Sequence, residues 1–415
     1  MTSIGRLLVL SVAVGCLHNG ALLAQSAEIG HNPLAGAEVG TNGRVSAVVV
    51  FDDGSGPALY IGGEFTSVNG TPANRVAKWD GQNWSAVGAG INGRVHAMTV
   101  FDDGHGPALY VGGHAEDPAN RLAKWDGTRW TPLAGEIEGH AVFALAVFDD
   151  GTGPALYVAG NFTMAGGRPV GNIAKWDGKS WSALDRGTNW LVFALAVFDG
   201  GSGPALCAAG DFTTVGDVRA ENIARWDGQR WSALDTGTNG KVNAMTVFDD
   251  GNGPALYVGG FFGVAGDVIS QGITKWDGKS WSAVGGTQGV NGTVYAVAVV
   301  DDGQGPALYI GGDFLTLLDG PRASHVARWD GRDWSALGSG VDARVRAIAG
   351  FDDGSGPALF AGGEFAMAGE VGANNIAKWD GNRWSTVGAA GANSPLRVST
   401  DHSPLDARRI EGRYR

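Results

Sequence analysis

The sequence has 415 residues and a net charge of −12, with 70 Gly, 15 Trp and only 2 Cys. The acidic charge argues against a nucleic-acid partner, which needs a basic face, and two cysteines exclude a disulfide scaffold and a four-cysteine zinc site. Glycine costs about 1 kcal/mol in a helix interior, so the composition predicts many turns and aromatic anchors instead of helices.

The first 24 residues predict a secretory signal. Arg6 supplies the positive charge, residues 7–14 form a short apolar run, and the segment ends in small residues at Ala24. A lipoprotein signal at Cys16 is the alternative. The apolar run is far shorter than the ~20 residues that span a bilayer, so we expect a protein that is secreted, periplasmic or on the cell surface and has no transmembrane segment.

Internal repetition dominates the rest of the chain. The tripeptide W-D-G begins at Trp79, Trp125, Trp176, Trp226, Trp276, Trp329 and Trp379. A second Trp follows each of these five residues later. The motif D-D-G-x-G-P-A-L begins at Asp52, Asp102, Asp149, Asp199, Asp249, Asp301 and Asp352, with Gly200 as one departure.

Each copy of about 50 residues predicts four short strands. In the first copy these are residues 44–51, 58–61, 74–79 and 84–87, separated by Gly-rich turns. Seven such copies predict an all-β fold, a seven-bladed β-propeller of four-stranded antiparallel blades over residues 44–391. An open β-solenoid is the competing architecture, but its usual repeat is much shorter.

The repeat pattern A-L-Y-[IV]-G-G-x-F-T, followed by N-x-[IV]-A-[KR]-W-D-G-x-x-W-S-A-[LV]-G, resembles the kelch-like repeats of secreted bacterial propellers. It is also similar to the extracellular propeller of fungal cortical polarity-marker proteins. The resemblance covers residues ~44–391. It implies a propeller that serves as a binding or surface module.

Two segments flank the predicted ring. Residues 25–43 contain a remnant of a fourth strand, which is a candidate for closing the ring. Residues 392–415 are polar with a basic end, and we expect a disordered tail there.

The turn motifs place 20 of the 42 acidic residues on one rim of the ring. Calcium binding is one interpretation, but turn chemistry is favoured because Asp side chains accept backbone hydrogen bonds in such turns. The paired Trp could stack on sugars, although packing between blades explains seven identical pairs better. The basic residue before each W-D-G is expected to pair with an Asp. No other metal, cofactor or catalytic residue is predicted.

The opposite rim carries the loops whose lengths differ among copies, and such loops usually determine specificity. The start of each first strand varies there between cationic and aromatic residues, and these positions are expected to line the mouth of the central channel. The predicted ligand site consists of Arg44, Arg94, His96, Phe143, Trp190, Phe193, Lys241, Tyr295, Arg344 and Arg346. This rim is therefore expected to be locally basic.

Catalytic patterns are scarce. The sequence has no H-E-x-x-H pair for zinc and no G-x-S-x-G elbow, and its eight His are scattered. These observations predict a monomeric, exported binding or scaffold propeller that is not an enzyme and binds a protein or glycan at the cell surface. A lectin-like glycan-binding propeller is the first alternative. A hydrolase or lyase with a site hidden in the channel is the second, and clustering of His96, Tyr295, Arg344 and Arg346 with a carboxylate would favour it.

Overall fold

A computed structural model describes residues 39–115, 121–286 and 288–388. The predicted signal, the tail after residue 391 and residues 25–38 lie outside the described residues. The described chain forms seven four-stranded antiparallel sheets, and the third sheet also pairs the two-residue strand Arg168–Pro169. This confirms the predicted seven-bladed β-propeller. The described part of the chain has no helix long and apolar enough to cross a membrane.

Strands are named by their order within a blade. The first strands are Val45–Asp52, Arg94–Asp102, Ile137–Asp149, Val192–Asp199, Lys241–Asp249, Thr293–Asp301 and Val345–Asp352. The second strands are Pro57–Gly63, Pro107–His114, Pro154–Ala165, Pro204–Gly210, Pro254–Phe261, Pro306–Asp313 and Pro357–Gly363. Each first strand contacts the first strands of both neighbouring blades. The first strands therefore surround the central channel.

The outer half of each blade is shorter. The third strands are Val76–Trp79, Leu122–Trp125, Ile173–Trp176, Ile223–Trp226, Ile273–Trp276, Val326–Trp329 and Ile376–Trp379. The fourth strands are Trp84–Ala86, Trp130–Pro132, Trp181–Ala183, Trp231–Ala233, Trp281–Ala283, Trp334–Ala336 and Trp384–Thr386. Short hairpins follow four second strands: Ser67–Val68 with Thr71–Pro72, Thr214–Val215 with Val218–Arg219, Val264–Ala265 with Val268–Ile269, and Met367–Ala368 with Val371–Gly372.

The repeated Trp pack between blades. The two rings of each pair lie 5.1 to 5.4 Å apart, and of the fourteen only Trp130 is not fully buried. The second Trp of each pair also donates its indole N–H to a backbone carbonyl of the preceding blade, as Trp231 does to Leu184. Because burial removes the rings from solvent, the packing interpretation is confirmed over sugar stacking.

The ring closes without exchanging a strand, since every sheet comes from one continuous segment. Trp84 of the first blade donates to the Val387 carbonyl of the seventh at 3.0 Å. Val39 and Thr41 exchange backbone hydrogen bonds with Asn374 at 3.0 and 2.9 Å. The segment before the first strand therefore bonds to the seventh blade. Connections between other blades make equivalent backbone hydrogen bonds to the blade before them.

The D-D-G and W-D-G turns form one rim, which we call the uniform rim. In each D-D-G motif the first Asp accepts two backbone N–H groups, as Asp52 does from Gly54 and Gly56. The second Asp contacts a Lys in five blades and also a Tyr hydroxyl in four, as Asp53 does with Lys78 and Tyr60 at 2.7 Å. These contacts confirm the predicted turn chemistry, and they confirm the pairing with an Asp in the five blades where the basic residue is Lys.

Burial shifts the titration of these clusters. It acts to raise the pKa of Asp103, but the hydrogen bonds and charge of Lys124, with Tyr110, outweigh it and hold that pKa at about 2. Burial and the neighbouring Asp103 raise the pKa of Tyr110. The clusters therefore hold ionised carboxylates at the uniform rim across the ordinary pH range.

The fourth blade lacks this cluster. Gly200 replaces the second Asp, the buried Cys207 replaces the Tyr, and Arg225 replaces the Lys and donates to the Gly203 carbonyl at 3.1 Å. Burial raises the pKa of Cys207 to about 12, so its thiol is unreactive. Cys207 is thus a core substitution.

Candidate functional site

A β-bulge occurs at the same point in all seven first strands. The residue after the first Val stands outside the regular pairing, as Ser46 does between Val45 and Ala47. The equivalent residues are Ser46, His96, Phe143, Phe193, Asn243, Tyr295 and Arg346. A bulge leaves its extra residue unpaired and re-aims its side chain. The bulges therefore supply one variable side chain per blade at the end of the channel.

Six of these side chains meet in one cavity of ≈260 Å³. Its lining residues are Arg44, Ser46, His96, Phe193, Asn243, Tyr295 and Arg346. We call this cavity the mouth. It lies at the opposite end of the first strands from the D-D-G turns, on the rim that carries the variable loops, which we call the variable rim.

Carboxylates from the second strands face the cations of the mouth. Arg44 contacts Glu64 of its own blade and Glu364 of the preceding blade, the latter at 3.2 Å. Arg346 also contacts Glu364, at 2.9 Å. Beyond them, Arg94 contacts Glu64 at 3.3 Å. The result is a ladder of alternating charge over the seventh, first and second blades.

Glu364 contacts more arginines than the other carboxylates of the ladder. Besides Arg44 and Arg346, it lies 3.8 Å from Arg344, which also pairs with Asp313 at 2.8 Å. Burial acts to raise the pKa of Glu364, but the charges of Arg346 and Arg44 outweigh it and hold that pKa below its ordinary value. Glu364 is therefore an ionised carboxylate beside the mouth.

The other side of the mouth is aromatic. Phe143 packs against both His96 and Phe193, with ring centroids 5.4 and 5.5 Å apart. Burial and the nearby charge of Arg44 lower the pKa of His96 to about 4. The guanidinium of Arg346 lies over the Tyr295 ring, 4.2 Å from its centroid. His96 is therefore a neutral imidazole at pH 7, able to accept a proton.

The ten predicted site residues fall into three groups. Arg44, His96, Phe193, Tyr295 and Arg346 line the mouth. Phe143, Arg94 and Arg344 contact that lining or its carboxylates. Lys241 pairs instead with Asp211 at 2.8 Å and lines a neighbouring groove, and Trp190 is 58% exposed and is not part of the lining.

The expectation of a locally basic rim is wrong. Each of its predicted cations has a carboxylate partner: Glu64, Asp211, Asp313 or Glu364. All four carboxylates occupy the position directly after the last Gly of the second-strand motif, which the prediction missed. The residue type at that position varies among copies, as it does at the bulge. This variation is the pattern that could have identified these carboxylates from the sequence.

The Asp-Gly turns were also predicted as a weaker candidate for calcium binding. Among the described residues, no three His, Cys, Asp or Glu side chains form a group that could hold a metal ion. The carboxylates of these turns accept backbone hydrogen bonds or contact Lys, which agrees with their structural interpretation.

No family model matches the chain, and no curated protein matches it. Among solved structures, the chain is similar to the GH74 xyloglucanase of Xanthomonas campestris. The TM-score is 0.50 and the identity is 16%, over 82% of this chain and 52% of that enzyme. The chain thus spans about half the length of the enzyme. At this identity the likeness shows the propeller fold, and it does not confirm the resemblance to kelch-like or polarity-marker propellers.

This comparison corrects the functional expectation. The sequence predicted a non-enzymatic scaffold, but a solved propeller that the chain resembles is a xyloglucanase. Two carboxylates, Glu64 and Glu364, lie in unlike environments at the mouth, because non-equivalent arginines surround them.

Proposed function

We propose that the chain is an exported carbohydrate-active enzyme that hydrolyses a glycosidic bond at the mouth. The observation that carries this proposal is the pairing of Glu64 and Glu364 on one guanidinium, that of Arg44, beside a cavity with neutral His96. The fold likeness to a GH74 xyloglucanase supports a glycan as the substrate class.

The carboxylate spacing suits this chemistry. Glu64 and Glu364 contact two nitrogens of the same planar group, so their bonded oxygens are separated by little more than a guanidinium and two hydrogen bonds. Paired glycosidase carboxyls act over ~5–9.5 Å. A sugar that displaces Arg44 from between them would therefore meet both.

Each carboxylate takes one role. Glu364, whose pKa is lowered, acts as the base that takes a proton from the attacking water. Glu64 is the other carboxyl of the pair and, in its protonated form, donates the proton to the departing glycosidic oxygen. Water then forms the new bond to the anomeric carbon as the glycosidic bond breaks. Ser46 and Asn243 are available in the lining to orient sugar hydroxyls.

The test is release of reducing ends from a panel of soluble neutral and acidic polysaccharides. Glu364→Gln and Glu64→Gln keep the side-chain shape and should each lower kcat by about 10²–10⁴-fold on whichever polysaccharide is cleaved. Glu221→Gln is the matched control because Glu221 pairs with Arg219 outside the mouth. Full activity in both mouth variants, or no cleavage of any polysaccharide by the wild type, would contradict the proposal.

A second candidate reaction is β-elimination of a uronate-containing glycan. It is favoured by the stacking of Arg346 on Tyr295 in the same cavity as neutral His96. Arg346 would neutralise the uronate carboxylate, His96 would take the C5 proton, and Tyr295 would protonate the O4 leaving group as the C4–O bond breaks. The C4=C5 double bond of the product absorbs ultraviolet light, whereas hydrolysis products do not. The same panel thus separates the two reactions.

A further inference from the structure

A second groove lies beside the mouth on the variable rim, across the fourth to sixth blades. Its volume is ≈530 Å³, twice that of the mouth and within the ~300–1,000 Å³ typical of ligand pockets. Its polar and aromatic lining includes Asp211, Asn239, Lys241, Phe261, Gln271 and Asn291. We call it the side groove.

The floor of the side groove carries an exposed aromatic ring. Phe261 is 65% exposed, although it follows the Gly pair at the position where every other blade has a polar residue. Those residues are Glu64, His114, Asn161, Asp211, Asp313 and Glu364. Because an exposed ring adds little to folding, Phe261 is available to pack against a ligand.

Two amide groups face the same groove. Asn239 accepts the backbone N–H groups of Gly263 and Val264 through its side-chain oxygen, and Asn291 does the same with Leu315 and Thr316. This pattern fixes the amide orientation, because the oxygen must face the backbone donors. Each NH₂ group therefore points the other way.

The corresponding amides of other blades are already used. Asn42 donates to the Thr66 hydroxyl at 2.8 Å, and Asn189 donates to Thr213 at 3.0 Å. The fifth and sixth blades have Gly263 and Leu315 in place of that Thr. Within the described residues, the NH₂ groups of Asn239 and Asn291 thus have no protein acceptor.

The ion pair of the groove completes a mixed polar set. Lys241 and Asp211 lie 2.8 Å apart, and both remain partly exposed. The groove therefore offers amide and ammonium donors together with a carboxylate acceptor around an apolar ring. Sugar hydroxyls both donate and accept hydrogen bonds, whereas an anionic ligand would be repelled by Asp211 and an apolar one would leave these polar groups unused.

We propose that the side groove is a glycan subsite, in which a neutral pyranose ring stacks on Phe261 and its hydroxyls accept hydrogen bonds from Asn239 and Asn291. This inference rests on the proposed function for its choice of a glycan. Lys241 lies two residues before Asn243, which lines the mouth. The subsite thereby holds the glycan chain whose glycosidic bond lies at the mouth.

The test measures binding without cleavage. The Glu364→Gln protein is run by affinity electrophoresis in gels containing xyloglucan, glucomannan or arabinoxylan, with polygalacturonate as the charged comparison. Retardation by at least one neutral polysaccharide is expected. Phe261→Ala should weaken that binding at least tenfold. Gly263→Thr should weaken it severalfold by restoring the hydroxyl that occupies the amide, since a Cβ at Gly263 meets nothing closer than 3.9 Å.

Ile269→Ala is the matched control. Ile269 is 64% exposed, lies in the same blade and is not part of the groove lining, so its loss should leave binding unchanged. Absence of binding to every neutral polysaccharide, or binding that Phe261→Ala leaves intact, would overturn the subsite. Binding that depends on Phe261 without cleavage by the wild type would support the subsite and contradict the proposed hydrolase.

Discussion

The two rims of the propeller use the same kinds of charged residues in opposite ways. On the uniform rim, the second Asp of the D-D-G turn meets the same Lys in five blades, as Asp150 meets Lys175. On the variable rim a cation of one blade pairs with a carboxylate of the preceding blade at only four junctions of the described chain, and the further partners differ: Glu364 faces three arginines, whereas Asp211 meets Lys241. Repetition thus accompanies stability, and departure from it accompanies a candidate site.

The ion pairs of the two rims also differ in how far they are buried. The Asp150 and Lys175 side chains are 8% and 12% exposed, whereas those of Arg44 and Glu364 are 28% and 29% exposed. A pair removed from water costs more to break because the remaining charge stays desolvated. Pairs at the mouth, being wetter, can exchange a protein partner for a ligand.

Acid should produce the largest effect, and it should act mainly on the uniform rim. The folded-state pKa values of Asp53, Asp103, Asp150 and Asp250 are lowered, so their stabilisation is present above the unfolded pKa near 4 and is lost as pH falls through the folded values, which for Asp103 and Asp150 are about 2. A lowering of that size contributes about 2 kcal/mol per carboxylate, which is a large fraction of a typical net stability.

We therefore expect a folded protein at pH 5 that loses its β-sheet circular dichroism between pH 4 and pH 2 at constant ionic strength. The lowered pKa of His96, about 4, also makes acid destabilising, but between pH 6.5 and about 4, because the protonated imidazole is disfavoured in the fold. Equal denaturant midpoints at pH 5 and pH 2 would show that the clusters do not stabilise the ring.

Removing a cation from the variable rim should affect catalysis. Arg44→Met removes the guanidinium that holds Glu64 and Glu364 close together. We expect kcat/KM to fall about 10²–10³-fold on the cleaved polysaccharide. The free energy of unfolding should change by only about 1 kcal/mol, because both carboxylates keep other arginine partners. Steady-state kinetics and urea unfolding measure the two quantities. A variant with normal kinetics would remove Arg44 from the proposed site.

Loss of a cation from the uniform rim should have the opposite effect, lowering stability and leaving activity unchanged. Lys78→Met leaves the Asp53 carboxylate 13% exposed without its cation, and the free energy of unfolding should fall by about 3 kcal/mol. Activity below the melting temperature should stay normal because Lys78 is remote from the mouth. Asp217→Asn is a matched control, since that carboxylate is 81% exposed and its loss should change stability by under about 0.5 kcal/mol.

The sequence predicted the fold well because all seven copies carry the same pattern of strands and turns. The period, the Asp-Gly turns and the paired Trp lead to the blades, and variation among copies leads to Arg44, His96 and Tyr295 at the mouth. It did not locate Glu64 and Glu364, because their pairing crosses from one blade to the next and depends on ring closure. Nor did variation alone separate Trp190, which lies outside the mouth lining, from Phe193, which is re-aimed by a bulge.

The fourth blade allows a smaller test of why the uniform rim is repetitive. Cys207→Tyr adds a ring to a fully buried site whose partners, Gly200 and Arg225, differ from those of other blades. It should destabilise the protein by about 1–3 kcal/mol through overpacking. Adding Gly200→Asp and Arg225→Lys restores the cluster seen around Tyr157, and the triple variant should recover most of that loss.

The recovery measures coupling within the cluster, because residues in contact have non-additive effects of about 0.5–3 kcal/mol. Gly200→Asp alone should not stabilise the protein, since a Cβ there lies 2.9 Å from Gly278 and its carboxylate would lack the Tyr and Lys partners. Urea unfolding of the single and triple variants gives the coupling directly. A triple variant less stable than Cys207→Tyr would mean that the fourth blade has repacked around its own three residues and that identity among the other blades is not what stabilises them.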